Sequence, residues 1–311
     1  MYNVWFIFFF LLIFQGRLGR IAVQKLSDKG IPCKILLRHN AGNVNTTPKD
    51  IESAESSAEV AAYLLSLPMV EAVKGDVTDK ESVKELLKDA SSVLAVYGAN
   101  RKSKISDALP WSKCEEDPTH AKQINYVGVR NIIEACKDSS CKRIVRVTGK
   151  GEDPWSFFSI LINLLGSMAK AWNNEGEHLL RSCKDVDYTI IRPGVMGRPG
   201  DGASAGNEDK VLALVDNGGS LPVSAVPHST IANLCIECLD YPNAARSTLC
   251  AMNVEAGTGE ATYAPLLSKV NPDTREFLPM LDAHRQAVRA GAVGLSAIFV
   301  TILSKNDFYI I

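Results

Sequence analysis

Two glycines near the beginning of the chain have the spacing of a phosphate-binding turn. Gly16 and Gly19 stand three residues apart, after an apolar segment and before a stretch patterned as an amphipathic helix. In a strand-turn-helix of this kind, glycines let the backbone approach a pyrophosphate, whose charge meets free N–H groups at the helix N-terminus. The first glycine of the full fingerprint would stand near position 13, where the chain has Ile13. The pattern predicts phosphate contacts from Gly16, Arg17, Leu18 and Gly19.

A basic residue closes the next predicted strand. The pattern after Gly19 predicts a helix ending at Gly30 and then a buried strand over Cys33–Leu37, which Arg38 follows. At this point of a dinucleotide fold an acid holds the ribose 2′-OH of NAD, whereas an arginine suits the 2′-phosphate of NADP. Leu36–Asn40 contains no acid. We therefore predict NADP as the cofactor in preference to NAD, the alternative being a solvated arginine at a strand end.

Two further predicted strands end in residues that can face a nucleotide. Val70–Val73 runs into a turn whose Asp76 is placed to touch an adenine, although a turn-forming role for this aspartate is the alternative. Ser92–Tyr97 reads as a buried strand, and ligands of open α/β sheets collect at the carboxyl ends of such strands. The residues assigned to the cofactor here are Asp76, Val77, Gly98 and Ala99.

Three motifs of the chain resemble those of the short-chain dehydrogenase/reductase superfamily. They are Gly75–Asp79, the run from Asp117 to Gly128, and Asp187–Gly194. The third motif is characteristic of the atypical, NmrA-like branch, and especially of its chloroplast-type members in plants and algae. The resemblance extends from Gly16 to about Val254.

The resemblance implies an α/β fold, a doubly wound parallel-sheet Rossmann fold with a small C-terminal substrate lobe. We expect the NAD(P)-binding domain to cover residues 1–262, with 197–254 partly forming the lobe. Residues 263–311 match nothing in the superfamily and are expected to be an appendage. The resemblance also places Asn125 at the cofactor, and it places the backbone of Pro193 and Gly194 beside the nicotinamide, although these last two residues could simply make a rigid strand exit.

The catalytic residues are likewise implied by the resemblance. Active members carry a Tyr four residues before a Lys, because the ammonium lowers the pKa of the phenol and holds the nicotinamide ribose. Lys170 matches the lysine, but Gly166 stands where the tyrosine would be, and no Tyr of the chain has a Lys four residues later. Thr148 lies near the usual catalytic serine or threonine. The atypical branch includes a lysine-only arrangement, so Lys170 and Thr148 are the candidate catalytic residues.

Two functions from different classes are compatible with these residues. The first is an NADP-dependent oxidoreductase or isomerase of a small hydrophobic substrate. The second is a catalytically silent NADP(H)-binding sensor or assembly factor that acts through a protein partner, which the missing tyrosine favours. The apolar segment Trp155–Leu165 would be a substrate lid in the first case and a docking surface in the second. If the incomplete glycine turn abolishes cofactor binding, the protein has neither of these two functions.

The composition argues against nucleic-acid binding and indicates the cellular compartment of the protein. The 34 Lys and Arg are dispersed among 35 Asp and Glu, so the basic patch of a nucleic-acid binder is missing. Eight scattered cysteines without a disulfide-scaffold pattern indicate a reducing intracellular compartment, either chloroplast or cytoplasm. Cys235 and Cys238 form a lone C-x-x-C, for which core packing is favoured over a metal. Glu175 and Glu177 are expected on a solvated helix face.

The two ends of the chain are unusually apolar. Val4–Phe14 is short for a membrane span and lacks the basic start of a signal peptide, so we expect it to form the first Rossmann strand. Our hypothesis is that a mispredicted start exon or translated intron has replaced a native strand there. Ala290–Leu303 is also too short for a confident span. It is expected to be a docking or interfacial helix in contact with a membrane, or else a poorly ordered appendage.

Overall fold

The molecule is built around one central sheet with helices on both faces. The computed structural model describes residues 9–12, 16–38, 56–108, 111–197, 210–255, 259 and 262–306. The strands are β1 Phe9–Leu12, β2 Cys33–Leu37, β3 Val70–Lys74, β4 Ser92–Ala95, β5 Arg143–Val147, β6 Asp187–Pro193, β7 Val195–Gly197, β8 Lys210–Val215, β9 Ala225–Pro227 and β10 Ser247–Glu255. The helices are α1 Arg17–Asp28, α2 Ser57–Ser66, α3 Lys80–Leu87, α4 Gly128–Lys137, α5 Phe157–Leu165, α6 Ala169–Ser182, α7 His228–Glu237, α8 Tyr263–Leu267 and α9 Leu281–Asn306.

The strand order confirms the predicted doubly wound Rossmann fold. The sheet runs β3-β2-β1-β4-β5-β6-β10-β8, and its pairs are parallel apart from the antiparallel pair of β10 and β8. The apolar first strand forms as expected: β1 lies between β2 and β4, with Phe9 in register with Cys33 and Ser92. Strand order reverses between β1 and β4, which opens a crevice at the carboxyl ends of these strands. Ile13, the missing first glycine, lies outside the described residues.

Two apolar layers hold the helices onto the sheet. Successive strand side chains point to opposite faces, and in β2 the buried Ile35 joins one layer while Leu36 joins the other. The first layer packs α1, α2 and α7 against the sheet, and the second packs α3, α4 and α6. Cys235 and Cys238 are fully buried in the first layer, where burial raises the pKa of the Cys238 thiol to about 12.

The segments after β6 surround the end of the sheet where the site lies. Within residues 197–254, β8 and β10 extend the central sheet, while β9 pairs with β7 to form a small separate ribbon. Residues 263–294 lie against the main body, and Leu267, His284 and Ala287 are fully buried there. In the described part of the chain, no helix is both long enough and apolar enough to cross a membrane.

Helix α6 lies very close to the π-helical segment Lys122–Val127 that leads into α4. Gly176 makes this approach possible, since a Cβ atom at this position would stand 2.3 Å from the carbonyl oxygen of Asn125. A backbone oxygen cannot move aside as a flexible side chain can. The separation between α6 and this segment therefore depends on the absence of a side chain at Gly176.

We expect Gly176→Ala to lower the free energy of unfolding by about 1 to 3 kcal/mol, because the added methyl group overpacks a backbone contact. Gly294→Ala is the matched control, since a Cβ atom there meets nothing within 4 Å. In a helix it should be neutral or stabilising by up to about 1 kcal/mol. Urea unfolding followed by circular dichroism measures both, and equal effects of the two substitutions would contradict the close approach at Gly176.

Candidate active site

The carboxyl ends of the parallel strands bring most of the sequence-predicted residues to one edge of the sheet. Gly16 follows β1, Arg38 follows β2, and Asp76 comes shortly after β3. Farther along the same edge, Gly98 follows β4 and Thr148 follows β5. This edge includes the crevice where dinucleotides bind in folds of this class.

The N-terminus of α1 is prepared for an anion. Gly16 caps the helix in an extended conformation with no side-chain hydrogen bond, and the first turn holds no acid. The first helical hydrogen bond runs from the Arg20 N–H to the Gly16 carbonyl, so the N–H groups of the preceding residues have no partner within the helix. Leu18 and Gly19 are buried. Their contribution to a pyrophosphate would come from the backbone, as the glycine spacing predicted.

Arg38 and Asp76 meet each other at the ends of β2 and β3. Arg38 Nε lies 2.5 Å from Asp76 Oδ2, and each side chain is about one third exposed, at 32% and 31%. Asp76 Oδ1 also accepts hydrogen bonds from the backbone N–H and hydroxyl of Thr78, at 2.9 and 2.8 Å. Asp76 thus orients Arg38 at the edge of the sheet. Val77, by contrast, is fully buried, which leaves only its backbone for a ligand.

Asn125 joins the end of β4 to the helix that carries Lys170. Its Oδ1 accepts a hydrogen bond from Ala99 N–H at 3.0 Å, and its Nδ2 donates to Ala169 O at 3.2 Å. The side chain is buried and fully engaged in these contacts. Gly98 is exposed, and a Cβ atom there would meet nothing within 4 Å. The space above β4 is therefore open to a flat ligand.

Arg146, which is not among the residues predicted for the site, supports the same edge from below. Its guanidinium is buried and donates to Ala95 O at 3.0 Å, Tyr97 O at 2.5 Å and Asn173 Oδ1 at 3.0 Å. It also stacks 4.3 Å from the centre of the Tyr97 ring. These contacts satisfy carbonyls left unpaired where β4 ends, and they tie the strand to α6.

A cavity of about 740 Å³ opens at the ends of β5 and β6. Both candidate catalytic residues line it, together with the strand exit at Pro193 and Gly194. The rest of its wall is largely apolar and includes Phe158, Ile162, Val195 and Val223. The structure therefore brings Thr148 and Lys170 to a single space, between the loop after β5 and the start of α6.

Lys170 is buried at the wall of this cavity. Its side chain is only 9% exposed, and Nζ donates a hydrogen bond to the carbonyl oxygen of Lys150. Burial, and then the positive charge of Arg192, lower the pKa of Lys170 to about 8. The amine is thus protonated at neutral pH and can release a proton more readily than a solvated lysine.

Glu177 is buried, and the expectation of a solvated face is wrong for this residue. It is 1% exposed and accepts hydrogen bonds from Arg192 Nε at 3.1 Å and Arg181 Nη2 at 3.0 Å. Burial would raise its pKa, but Arg192, Arg181 and the Thr148 hydroxyl lower it to about 2. The feature of the sequence that could have indicated this was Arg192, because an arginine inside a buried strand requires a buried counter-charge.

Glu177, Arg181 and Arg192 form a buried charged group, and the hydroxyl of Thr148 is hydrogen-bonded to it. Thr148 Oγ1 donates to Glu177 Oε1 at 2.6 Å. Since Glu177 is a carboxylate, it can only accept, and the hydroxyl proton is committed to this bond. Towards the cavity Thr148 can therefore offer lone pairs but no proton. Lys170 remains the proton donor among the two residues predicted to act in catalysis.

The charged group continues outward to the C-terminal segment. Glu152, in the loop after β5, forms ion pairs with both Arg192 and Arg275. Arg275 lies 4.1 Å from the centre of the Phe277 ring, and Arg181 stacks on the same ring at 3.7 Å. The loop that lines the cavity is thus held by residues that the sequence comparison with the superfamily left unassigned.

Known proteins similar to this chain indicate that it binds NAD(P)H. A sequence profile of the family described as NAD(P)H-binding matches residues 15–242. Protein TIC 62, chloroplastic, of Arabidopsis thaliana is 25% identical over 266 residues, which make up 85% of this chain and 38% of that protein. Sanguinarine reductase of Eschscholzia californica is 26% identical over 160 residues, 50% of this chain and 55% of the enzyme. The chain thus spans only part of the length of either relative.

Among solved structures, a short-chain dehydrogenase/reductase from Veillonella parvula in complex with NADP has the same fold. It superimposes with a TM-score of 0.55 at 11% identity and covers 82% of this chain and 97% of its own. At this level of identity the likeness is one of architecture.

We expect Glu177→Gln to lower the free energy of unfolding by about 3 to 5 kcal/mol at neutral pH, because it removes the buried counter-charge that Arg192 and Arg181 share. The ionised carboxylate stabilises the fold above pH 4.5, its ordinary pKa, and this contribution is lost as the pH falls towards 2. The difference in stability between the two proteins should therefore shrink across that window.

Glu175→Gln is the matched control for this measurement. Glu175 stands on the same helix but accepts hydrogen bonds only from the N–H groups of Met280 and Leu281, which a glutamine oxygen can also accept. Urea unfolding at several pH values should show a small, pH-independent change. A comparable loss in both variants would refute the special role of Glu177.

Proposed function

The chain belongs to the NAD(P)H-binding family, and from this premise we propose that it is an NADP(H)-dependent oxidoreductase of an apolar substrate, with an isomerase as the closest variant of that activity. The observation that carries the proposal is the buried ammonium of Lys170 at the wall of an apolar cavity. A buried amine with a lowered pKa in a cleft is typical of acid–base catalysis.

The residues at the edge of the sheet suit the parts of the cofactor. The uncapped N-terminus of α1, from Gly16 to Gly19, would receive the pyrophosphate. Arg38, oriented by Asp76, would bind the 2′-phosphate of NADP. Pro193 and Gly194 line the cavity where the nicotinamide would lie. When bound, NADPH supplies the hydride for the reduction.

Lys170 would provide the proton that accompanies reduction. Its Nζ donates to the carbonyl of Lys150, which leaves further ammonium protons for a substrate oxygen in the cavity. Thr148 would accept a hydrogen bond from the substrate or from Lys170, since its own proton points to Glu177. The glycine at 166, which replaces the superfamily tyrosine, leaves this lysine as the donor in the proposed mechanism.

The chemistry of the cavity suggests the kind of substrate. Phe158, Ile162, Val195 and Val223 form apolar walls, and Lys170 and Thr148 bring polar groups to the same cavity. Such a space favours a hydrophobic molecule with one reducible group near the lysine. The name of the sanguinarine reductase relative is consistent with a reduction of this type, although the chain covers only part of that enzyme.

A second candidate function rests on the exposed face of α5. This helix exposes the large apolar side chains of Phe157, Phe158 and Leu165 and buries the polar Ser159 and Asn163. An exposed apolar patch of this kind suits a protein partner. A silent NADP(H) sensor would bind cofactor tightly without turnover, and the chloroplast relatives make a chloroplast location part of the proposal.

We expect Arg38→Ala to weaken NADPH binding about tenfold or more, by removing a charge-assisted contact with the 2′-phosphate, while leaving NADH binding almost unchanged. Lys29→Ala removes a positive charge at the opposite end of α1 and should alter neither affinity. Each variant is titrated with both cofactors, and fluorescence and thermal shift report the affinity for NADPH and for NADH. Equal weakening for NADPH and NADH would exclude the proposed phosphate contact.

We expect the rate of reduction to be flat below pH 8 and to fall tenfold per pH unit above it, since the pKa of Lys170 is lowered to about 8. Lys170→Ala should abolish turnover but not cofactor binding. Lys170→Arg keeps the positive charge and should lose the break near pH 8. Substrate-dependent oxidation of NADPH, followed by absorbance, provides the rates. A break that persists in the arginine variant would assign the titrating group elsewhere.

A further inference from the structure

Helix α9 lies beyond the family-matched residues, yet one of its side chains reaches the helix that carries Lys170. His284 is fully buried between α5 and α6. Its Nδ1 lies 3.1 Å from the side-chain amide of Asn163 on α5, and its Nε2 lies 2.9 Å from that of Asn174 on α6. Both ring nitrogens are therefore engaged inside the protein. The role proposed for Lys170 does not itself account for this arrangement.

Asn163 caps the helix on which Lys170 stands. Its Oδ1 accepts hydrogen bonds from the backbone N–H groups of Lys170 and Ala171, each at 3.0 Å. The residue before the helix, Met168, has φ of 61° and provides no side-chain cap. The unpaired N–H groups of the first turn of α6 are thus satisfied by a side chain from another helix. Lys170 is the second residue of that turn.

The two hydrogen bonds at Asn163 Oδ1 determine which way its amide points. Since the oxygen faces the N-terminus of α6, the Nδ2 group must be the one that faces His284. Nδ1 of His284 then accepts, and the neutral ring carries its proton on Nε2. That proton needs an acceptor, so the Asn174 amide, whose Nδ2 stands 2.9 Å from Nε2, must turn over and present its Oδ1 to the ring. Burial, and then the nearby positive charge of Lys170, lower the pKa of His284 to about 4. The neutral ring is consistent with its role as an acceptor.

We infer that His284 is a positioning residue for Lys170: through its Nδ1 it holds Asn163 in the orientation that caps α6 and fixes the lysine at the cavity wall. The inference rests on the proposed function of Lys170 but makes a structural claim of its own. It also makes the C-terminal helix part of the candidate active site, because removing α9 would remove the group that orients the cap.

Two substitutions separate the two sides of the ring. His284→Asn places an amide oxygen where Nδ1 lies and can still accept from Asn163, whereas His284→Gln reaches the position of Nε2 and preserves only the contact with Asn174. We expect His284→Gln to release the cap, admit water to Lys170 and raise the pKa of the lysine by about one unit or more. His284→Asn should keep that pKa within about 0.3 units of the original.

The pKa of Lys170 can be followed in the full chain by the ¹³Cε chemical shift of labelled lysine, assigned with Lys170→Arg. This readout needs no substrate, so it separates the inference from the proposed function. If the pKa responds as expected but no substrate is turned over, the positioning role holds and the oxidoreductase proposal fails. If both variants fold and shift the pKa equally, or neither shifts it, the positioning role is overturned.

A measurement on the unmodified protein covers the case in which a variant fails to fold. Long-range ¹H–¹⁵N correlation spectra report which nitrogen of His284 carries the proton. A proton on Nε2, together with slow exchange of the Lys170 and Ala171 amide protons, is the expected result. A proton on Nδ1 would mean that this nitrogen cannot accept from Asn163, and the inference would be overturned.

Discussion

The buried carboxylate of Glu177 is the constraint to which the other parts of the site conform. Two arginines, on α6 and β6, stabilise its charge, and the hydroxyl of Thr148 completes its hydrogen bonds. Because an unpaired charge at this depth is costly, these groups must arrive together when the protein folds. The position of α6 against the sheet, and hence the position of Lys170, follows from that requirement. The hydrogen bond to Glu177 leaves the proton of Thr148 unavailable to a ligand.

Around this centre, side chains from distant parts of the chain support the edge of the sheet. Asn125 ties the end of β4 to α6, and Arg146 satisfies the carbonyls at which β4 stops. Glu152 extends the charged group from Arg192 to Arg275. The result is a cavity with apolar walls, with the ammonium of Lys170 buried at one of them.

The sequence was sufficient for those parts of the structure that depend on local pattern. Apolar strands such as Cys33–Leu37 and the spacing of Gly16 and Gly19 at the start of α1 follow local rules, so the Rossmann fold and the sheet edge that holds the candidate residues could be predicted. Glu177 could not be placed this way, because its burial depends also on Arg192 of β6, which only the folded chain brings near. His284 was invisible for the same reason, since its partners lie 110 and 121 residues away in sequence.

The contact of His284 with Asn163 also bears on the order in which the molecule is built. Residues that match the family end at 242, whereas the side chains that brace the loop after β5 and the cap of α6 come from 275 and 284. During synthesis the sheet and α6 emerge from the ribosome first, and domains begin to fold as they emerge. Their last supports follow some hundred residues after α6 begins. The nascent chain therefore passes through a stage with a nearly complete Rossmann sheet and an unfinished candidate site.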